Sequence, residues 1–299
     1  MYSQIDSNKR KTWFLVTIFS VFTVTILSLI AYSYGADLYA SLIFGTSFAV
    51  VYSLIAFYWS DKVALKTQGA KAITKDQAPD LYRLVENLAI TSGLPMPKIY
   101  VIDDEAPNAF ATGRDPKHAS VAVTTGLLKR LEKAELEGVL AHEMGHIQNY
   151  DIRLMTIVVV LVGLIVLVSD ILIRMNFLRN TRSRDMKGAG IAIILIGLAL
   201  GILSPIIAQV IKLSISRTRE YLADASGALL TRHPEGLARA LEKISSYNGE
   251  MKKANHATAH LYISSPFGTK GKKATSWYQK LFATHPPIND RISKLRGMN

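Results

Sequence analysis

Val139-Leu140-Ala141-His142-Glu143-Met144-Gly145-His146 closes a run in which Leu127, Leu128, Leu131, Leu136, Val139 and Leu140 recur at helical spacing. The periodicity predicts a helix carried from residue 127 directly into residues 142 to 146. Positions four apart on a helix project from one face, so His142 and His146 can offer their imidazoles to a single metal ion. Glu143, next to the first ligand, can reach a water held at that metal, take its proton as general base and later pass it to a departing amine. Peptide hydrolysis at a single zinc ion needs that arrangement. Only three positions of the pentapeptide are fixed, and an amphipathic helix can carry it by chance. Here an apolar helix precedes it and a long apolar stretch follows, a setting that surface decoration would not need.

A catalytic zinc site uses three protein ligands and leaves a fourth position to water. The extended pattern with a third histidine fails, because Asn149 and Ile152 stand where it needs glycine and histidine. The absence of cysteine removes thiolate ligands, cysteine nucleophiles and disulfides. A downstream acid becomes the best candidate. In Arg219-Glu220-Tyr221-Leu222-Ala223-Asp224, the two acids sit one helical turn apart and can face one site. Glu220 is the expected third ligand, and Asp224 is expected to hydrogen-bond a ligand histidine and fix its orientation. The bland alternative is a solvated acid pair balancing Arg217 and Arg219, which would contribute little. His256 and His260 also stand four apart, but His-Ala-Thr-Ala-His supplies neither a base nor a third ligand, so one Zn2+ per chain is expected. His118 and His233 are isolated.

Around this centre the 299 residues are 49% hydrophobic and the mean hydropathy is positive, which points to lipid. Four stretches approach the ~20 apolar residues that a spanning helix needs. They run from Thr12 to Tyr34, Leu38 to Trp59, Leu154 to Ile173 and Gly188 to Ile211, the last containing Pro205. The first two should form a tight antiparallel hairpin, with Trp13, Tyr58 and Trp59 placed as interfacial anchors. Lys9, Arg10 and Lys11 before the first span put the N-terminus in the cytoplasm by the positive-inside bias. Arg174, Arg179, Arg182, Arg184 and Lys187 between the third and fourth stretches run against a simple count of crossings, so that pair either spans fully or forms a re-entrant hairpin. Both return Glu220 to the side of His142, as the metal requires. Asp170, close to Arg174, reads as half of an interfacial pair. The net charge of +12 suits an anionic membrane surface, since no nucleic-acid recognition motif accompanies it.

The chain divides into a membrane hairpin (1–59), a first catalytic part (60–153), a second membrane hairpin (154–211) and a second catalytic part (212–299). Within the catalytic parts, Ile99 to Ile102 and Ser120 to Val123 read as short strands around a turn region rich in Pro, Asn and Gly. Helices are expected over Ser214 to Leu230 and from Pro234 to about Tyr247. The polar segment from Asn248 to Ser276 reads as a mobile loop and a plausible place for self-cleavage.

Four motifs together carry a family resemblance: His142 to His146, Glu220 to Asp224, Pro107-Asn108-Ala109-Phe110-Ala111 and Thr284-His285-Pro286-Pro287. The chain resembles, over nearly its whole length, the HtpX family of membrane heat-shock proteases, which is related to the endoproteases that trim prenylated proteins. The resemblance implies an α+β, mostly α, gluzincin-like zinc protease domain with about four transmembrane or membrane-associated helices. It implies ATP-independent cleavage of misfolded or damaged membrane proteins at the cytoplasmic face of a bacterial inner membrane. It also suggests that Asn108 lies on an edge strand that pairs with substrate, and that His285 donates a hydrogen bond to the developing oxyanion. The bland readings are a turn asparagine after Pro107 and a helix-entry residue before Pro286. Two competing readings are an intramembrane protease and a non-enzymatic membrane scaffold. The first is disfavoured because polar Gln148 to Asp151 follow the motif at once, and the second because a closed structural zinc site needs a fourth protein ligand.

Overall fold

A computed structural model of the chain describes residues 2–33, 35–164, 217–254, 258–267 and 286–298. Two long helices open it, α1 (Tyr2–Ser33) and α2 (Leu38–Gln68). The Asp37 side chain caps α2 by accepting from the Tyr39 and Ala40 amides, and Gly69, at φ 68°, ends it in the left-handed conformation that glycine adopts without strain. The helices pack as a hairpin through small residues: Ser41, Gly45 and Ala49 are buried at every fourth position of α2, and the Ser28 hydroxyl donates to the Ser41 carbonyl at 3.0 Å. Such small-residue contacts let helix backbones approach closely in lipid. Outward, the pair presents Trp13, Phe14, Val21, Leu29, Ile43, Phe44, Val50, Val51 and Leu54. Among the described residues, only Ile90, Met96, Leu229 and Met298 are large exposed hydrophobics outside α1 and α2. That distribution belongs to helices solvated by acyl chains.

The 31 residues of α2 would reach ~46 Å, well beyond the ~30 Å hydrocarbon layer. Its last turns therefore continue into the adjoining domain. Ala64, Leu65 and Gln68 are buried there, and the Gln68 amide donates to Thr258 Oγ1 and accepts from the Tyr262 hydroxyl, each at 2.7 Å. The span end expected at Trp59 therefore falls inside α2, and the helix itself goes on to Gln68.

Four strands form one sheet: β1 (Lys71–Ala72), β2 (Lys98–Ile102), β3 (Ala109–Gly113) and β4 (Ala119–Thr124), in the order β1-β2-β4-β3. The β2–β4 pair is parallel and the two outer pairs are antiparallel, so β3 is an edge strand. Strand alternation splits the core: Ile99, Ala109, Ala111, Val121 and Val123 face α3 (Pro79–Ser92) and the metal-site helix, while Ile102, Phe110 and Ala122 face Leu65, Met155 and Tyr262. The two expected strands are present with slightly wider bounds. The region between them, expected as turn, holds β3, and the expected continuous helix is two helices, α4 (Thr125–Arg130) and α5 (Lys133–Gln148). Leu131 and Glu132 between them are extended, and Glu132 starts α5 through a capping box in which the Glu135 carboxylate accepts from the Glu132 amide at 2.8 Å.

Beyond α5 the chain bends by 83° into α6 (Asp151–Leu164). The described part of the third apolar stretch is buried in protein: Leu154, Ile157, Val158 and Leu161 pack on Leu15 and Phe19 of α1, and Tyr52 of α2 donates to the Val160 carbonyl. Two described helices, α1 and α2, are long and apolar enough to cross a membrane, and α5 with α6 counts as a third only if the bent pair is one span. The rest of the third stretch, the fourth stretch and the basic segment between them lie outside the described residues. After them come α7 (Arg217–Thr231), α8 (Pro234–Ser246) and α9 (Ile288–Arg296), close to the helices expected from Ser214 and Pro234.

Candidate metal centre

Two helices crossing at close range build the centre. Gly145 of α5 lies against Ala223 of α7, where an added Cβ would stand 3.3 Å from the Ala223 Cα. Gly227 of α7 lies against α5, where an added Cβ would stand 3.0 Å from the His142 amide nitrogen. Larger residues at these positions would hold the helices apart. Glycine and alanine let α7 sit low enough on α5 for Glu220 to reach His146.

His142, His146 and Glu220 converge with their ligand atoms all within 4.8 Å of one another, the one such group among the described residues. The two Nε2 atoms face each other at 3.2 Å, and His146 Nε2 lies 3.6 Å from Glu220 Oε1. A tetrahedral ion with bonds of ~2.1 Å spaces its ligand atoms by ~3.4 Å, so the two edges at His146 fit zinc. The other ring nitrogens are held. His142 Nδ1 donates to Asp224 Oδ1 at 2.9 Å, and His146 Nδ1 donates to Asp151 Oδ2 at 3.0 Å. With both Nδ1 atoms committed as donors, both Nε2 lone pairs turn inward. Two lone pairs at that distance in a dry site repel unless a cation or a proton lies between them, a requirement that a metal ion would meet and that a proton on His146 meets in its absence.

The surroundings are dry and charged. His142, Glu143, His146, Asp151, Glu220, Asp224 and Arg291 are all buried. Burial lowers the His142 imidazole to about 4, an effect the Asp224 hydrogen bond only partly offsets. Burial also opposes charge on His146, but the Asp151 hydrogen bond and the Glu220 carboxylate outweigh it and raise this imidazole to about 9. Burial pushes the Glu143 carboxyl up to about 7, with Glu220 adding to the rise, while His146, the Ala111 amide and Arg291 pull the other way. At Asp224, burial is overcome by the Arg291 guanidinium and the His142 Nδ1–H, which hold the carboxyl down to about 2.

Two of these side chains, Arg291 and Asp151, were not singled out as site residues by the sequence, and Arg219 was read only as a solvated partner of the acid pair. Arg291, fully buried on α9, grips Asp224 with two hydrogen bonds, Nε to Oδ2 at 2.9 Å and Nη2 to Oδ1 at 2.7 Å, and places Nη1 at 3.7 Å from Glu220 Oε2. Asp151, the first residue of α6, orients His146. Arg219 pairs with Asp151 at 3.5 Å rather than lying in solvent. Tyr150 between α5 and α6 has φ 59°, a left-handed conformation that is rare for a bulky residue, and it turns Asp151 back toward His146. An acid five positions after the second histidine, at the mouth of an apolar stretch, was the one available signal for Asp151.

Asn108 immediately precedes β3, but its side chain is turned to its own chain. Its amide nitrogen donates to the Ser264 carbonyl at 2.9 Å, and its oxygen accepts from the Ala109 and Ser264 amides. The neighbouring segment lies along the open edge of β3: the Ile263 amide donates to the Ala109 carbonyl at 3.0 Å, and Arg291 Nη1 donates to the Ile263 carbonyl at 3.3 Å. Further along that edge, Gly113 N–H donates to Thr156 Oγ1, and the Ala111 N–H is directed to Glu143. His260 is buried with Nε2 at 2.8 Å from the Met155 carbonyl oxygen. His256 and His285 lie outside the described residues.

The family model for peptidase family M48 matches residues 75–299. A Protease HtpX homolog of Caldanaerobacter subterraneus subsp. tengcongensis is 45% identical over 303 residues, covering all of this chain and 98% of the relative. Another, from Dictyoglomus thermophilum, is 46% identical over 300 residues, covering 99% of this chain and 94% of the relative. In fold, the chain is similar to the crystal structure of S. mikatae Ste24p, with a TM-score of 0.52 at 21% identity, over 99% of this chain and 67% of that one.

Proposed function

This chain belongs to peptidase family M48 and is an integral membrane metalloprotease, and from that premise we propose that it is a zinc endoprotease that removes misfolded or damaged membrane proteins at the cytoplasmic face of a bacterial inner membrane. His142, His146 and Glu220 would hold one zinc ion, with Asp224 and Asp151 orienting the two histidines. The observation that carries this reading is the pair of inward-facing Nε2 atoms 3.2 Å apart, each tethered from behind by a carboxylate.

When bound, zinc supplies a Lewis acid for the scissile carbonyl and for the attacking water. The remaining work falls to the chain. Glu143 is buried beside the ligands, and a bound cation would favour its carboxylate, which can take the proton of the attacking water and return it to the departing amine. Substrate backbone would lie along the outer edge of β3, as an added strand. That edge is engaged by Ile263, and Asn108 clamps Ser264 beside it. A substrate role for Asn108 therefore requires the 258–267 segment to move aside. The oxyanion donor in this reading is His285, which lies six positions before Arg291.

The cytoplasmic assignment, and the fourfold division of the chain, rest on the same hairpin. The first turns of α1, with Lys9, Arg10 and Lys11, lie level with the metal centre, because Asn8 donates to the Asn149 carbonyl at 2.9 Å. By the positive-inside bias, that end of α1 is cytoplasmic. The deciding experiment is degradation of a membrane-protein substrate by the parent, with and without chelator, and by Glu143→Ala. The variant should keep its zinc and lose cleavage. Undiminished cleavage by the variant, or by the chelated parent, would overturn the mechanism.

A further inference from the structure

An asparagine buried in the first membrane helix needs an explanation, because an amide taken out of water without partners costs about 2–7 kcal/mol. Asn8 is 1% exposed. Its amide nitrogen donates to the Asn149 carbonyl at 2.9 Å and to Asp151 Oδ1 at 2.7 Å, and its oxygen accepts from Arg219 Nη1 at 3.3 Å. These partners come from the α5–α6 hinge and from α7, more than 140 positions away along the chain. The other carboxylate oxygen of Asp151 receives His146 Nδ1 at 3.0 Å. One unbroken line of hydrogen bonds thus leads from the membrane helix to a metal ligand.

We propose that Asn8 is a positioning residue for the metal centre: by fixing Asp151 it fixes His146, so the zinc site reaches full affinity only with the first turns of α1 docked on the α5–α6 hinge. The proposal rests on the reading of His142, His146 and Glu220 as zinc ligands. A carboxylate free to rotate could offer either oxygen, or neither, to the imidazole. Asn8 and Arg219 both occupy Oδ1, which leaves Oδ2 in line with Nδ1. The docking has a second grip next door, where Lys9 Nζ stands 4.9 Å from the centroid of the Tyr150 ring, on the strained residue of the hinge.

The test measures zinc affinity of the full chain in lipid nanodiscs by competition with a chelator. The parent should bind one zinc ion and His146→Ala should lose it; failure of this control overturns the ligand assignment itself, which separates that outcome from those below. With the control met, Asn8→Leu, close in volume and suited to an apolar helix, should bind zinc about tenfold more weakly, within the ~10–100-fold range for losing an outer partner of a ligand. Asp151→Asn should lose at least as much. Adding Asn8→Leu to Asp151→Asn should bring no further loss, because residues acting through one another are not additive. A merely structural role for Asn8 would give losses that add. Parental affinity in Asn8→Leu, or additive losses in the double variant, would overturn the proposal. Should Asn8→Leu not fold, Asn8→Ser serves the same comparison, since a hydroxyl has one proton and Asn8 serves two acceptors.

Discussion

Zinc binding by the metal-free protein should tighten steeply with pH, and the structure sets the slope. Without metal, His146 holds a proton up to about 9 because Asp151 and Glu220 favour the cation, yet its Nε2 lone pair is needed for the metal. Binding must expel that proton. Between about pH 7 and about pH 9 the dissociation constant should therefore fall about tenfold per pH unit, or ~1.4 kcal/mol each. Below about 7 the slope should steepen, because Glu143 is then also protonated in the metal-free site and a bound cation favours its carboxylate. His146, whose folded value is raised, stabilises the metal-free protein fully below ~6.5 and loses that contribution as pH rises through about 9. The gap in thermal stability between zinc-loaded and metal-free protein should accordingly widen as pH rises over that window. Chelator competition across the range gives the slope, and calorimetry in buffers of different ionisation enthalpy counts the protons released. An affinity independent of pH, with no proton released, would refute the assignment of His146 as a ligand whose Nε2 is occupied by a proton in the metal-free state.

Arg291→Met should leave Asp224 as an uncompensated buried carboxylate and cost about 3–5 kcal/mol, seen as a lowered thermal midpoint in the metal-free protein. In the parent, the stability from Asp224 is present above its ordinary value of ~4 and lost as pH falls through about 2. An unchanged Arg291→Met midpoint at neutral pH would contradict both statements. Gly227→Ala places a Cβ 3.0 Å from the His142 amide, so α7 must lift from α5, costing ~1–3 kcal/mol and weakening zinc binding; parental affinity in that variant would show that the helix approach does not position Glu220. Asn108→Ala, tested in the Glu143→Ala background to silence self-cleavage, should release Ser264 and speed cutting within residues 258–267 by an added soluble protease. Equal cutting rates would mean that Asn108 does not hold the segment.

The parts of the site legible in the sequence are those carried by helical spacing. His142 with His146, and Glu220 with Asp224, share faces because four residues make about one turn, and the structure brings these two faces together. Residues reaching the site from elsewhere left no such period. Arg291 enters from the last described helix, Asp151 through the left-handed turn at Tyr150, and Asn8 from the opposite end of the chain. In the fold, β3 was unreadable because Ala109, Ala111 and Gly113 have low strand propensity. Small residues are required there, since Ala109 and Ala111 meet α5 on one face and the strand's outer edge is covered by Ile263 and Thr156. The break before α5 was hidden because a glutamate, Glu132, takes the capping position usually held by serine or threonine.

Charge accounting connects these late-found residues to the chemistry. Each carboxylate that steers a histidine is matched by its own buried arginine, Asp224 by Arg291 and Asp151 by Arg219, so the outer layer is neutral. Glu220 and Glu143 remain inside it. With zinc bound, their two negative charges balance the ion, and no net charge is left in a region where an isolated charge is costly. Without zinc, the His146 proton and the Arg291 guanidinium oppose these carboxylates, but burial, with Glu220 adding to it, still drives Glu143 toward its protonated form. Part of the rise of Glu143 to about 7 comes from Glu220, and a cation held by the ligands would offset that part and favour the ionised, working form of the base. Removing either arginine would disturb this balance without touching a ligand, so both should alter the base as well as the metal.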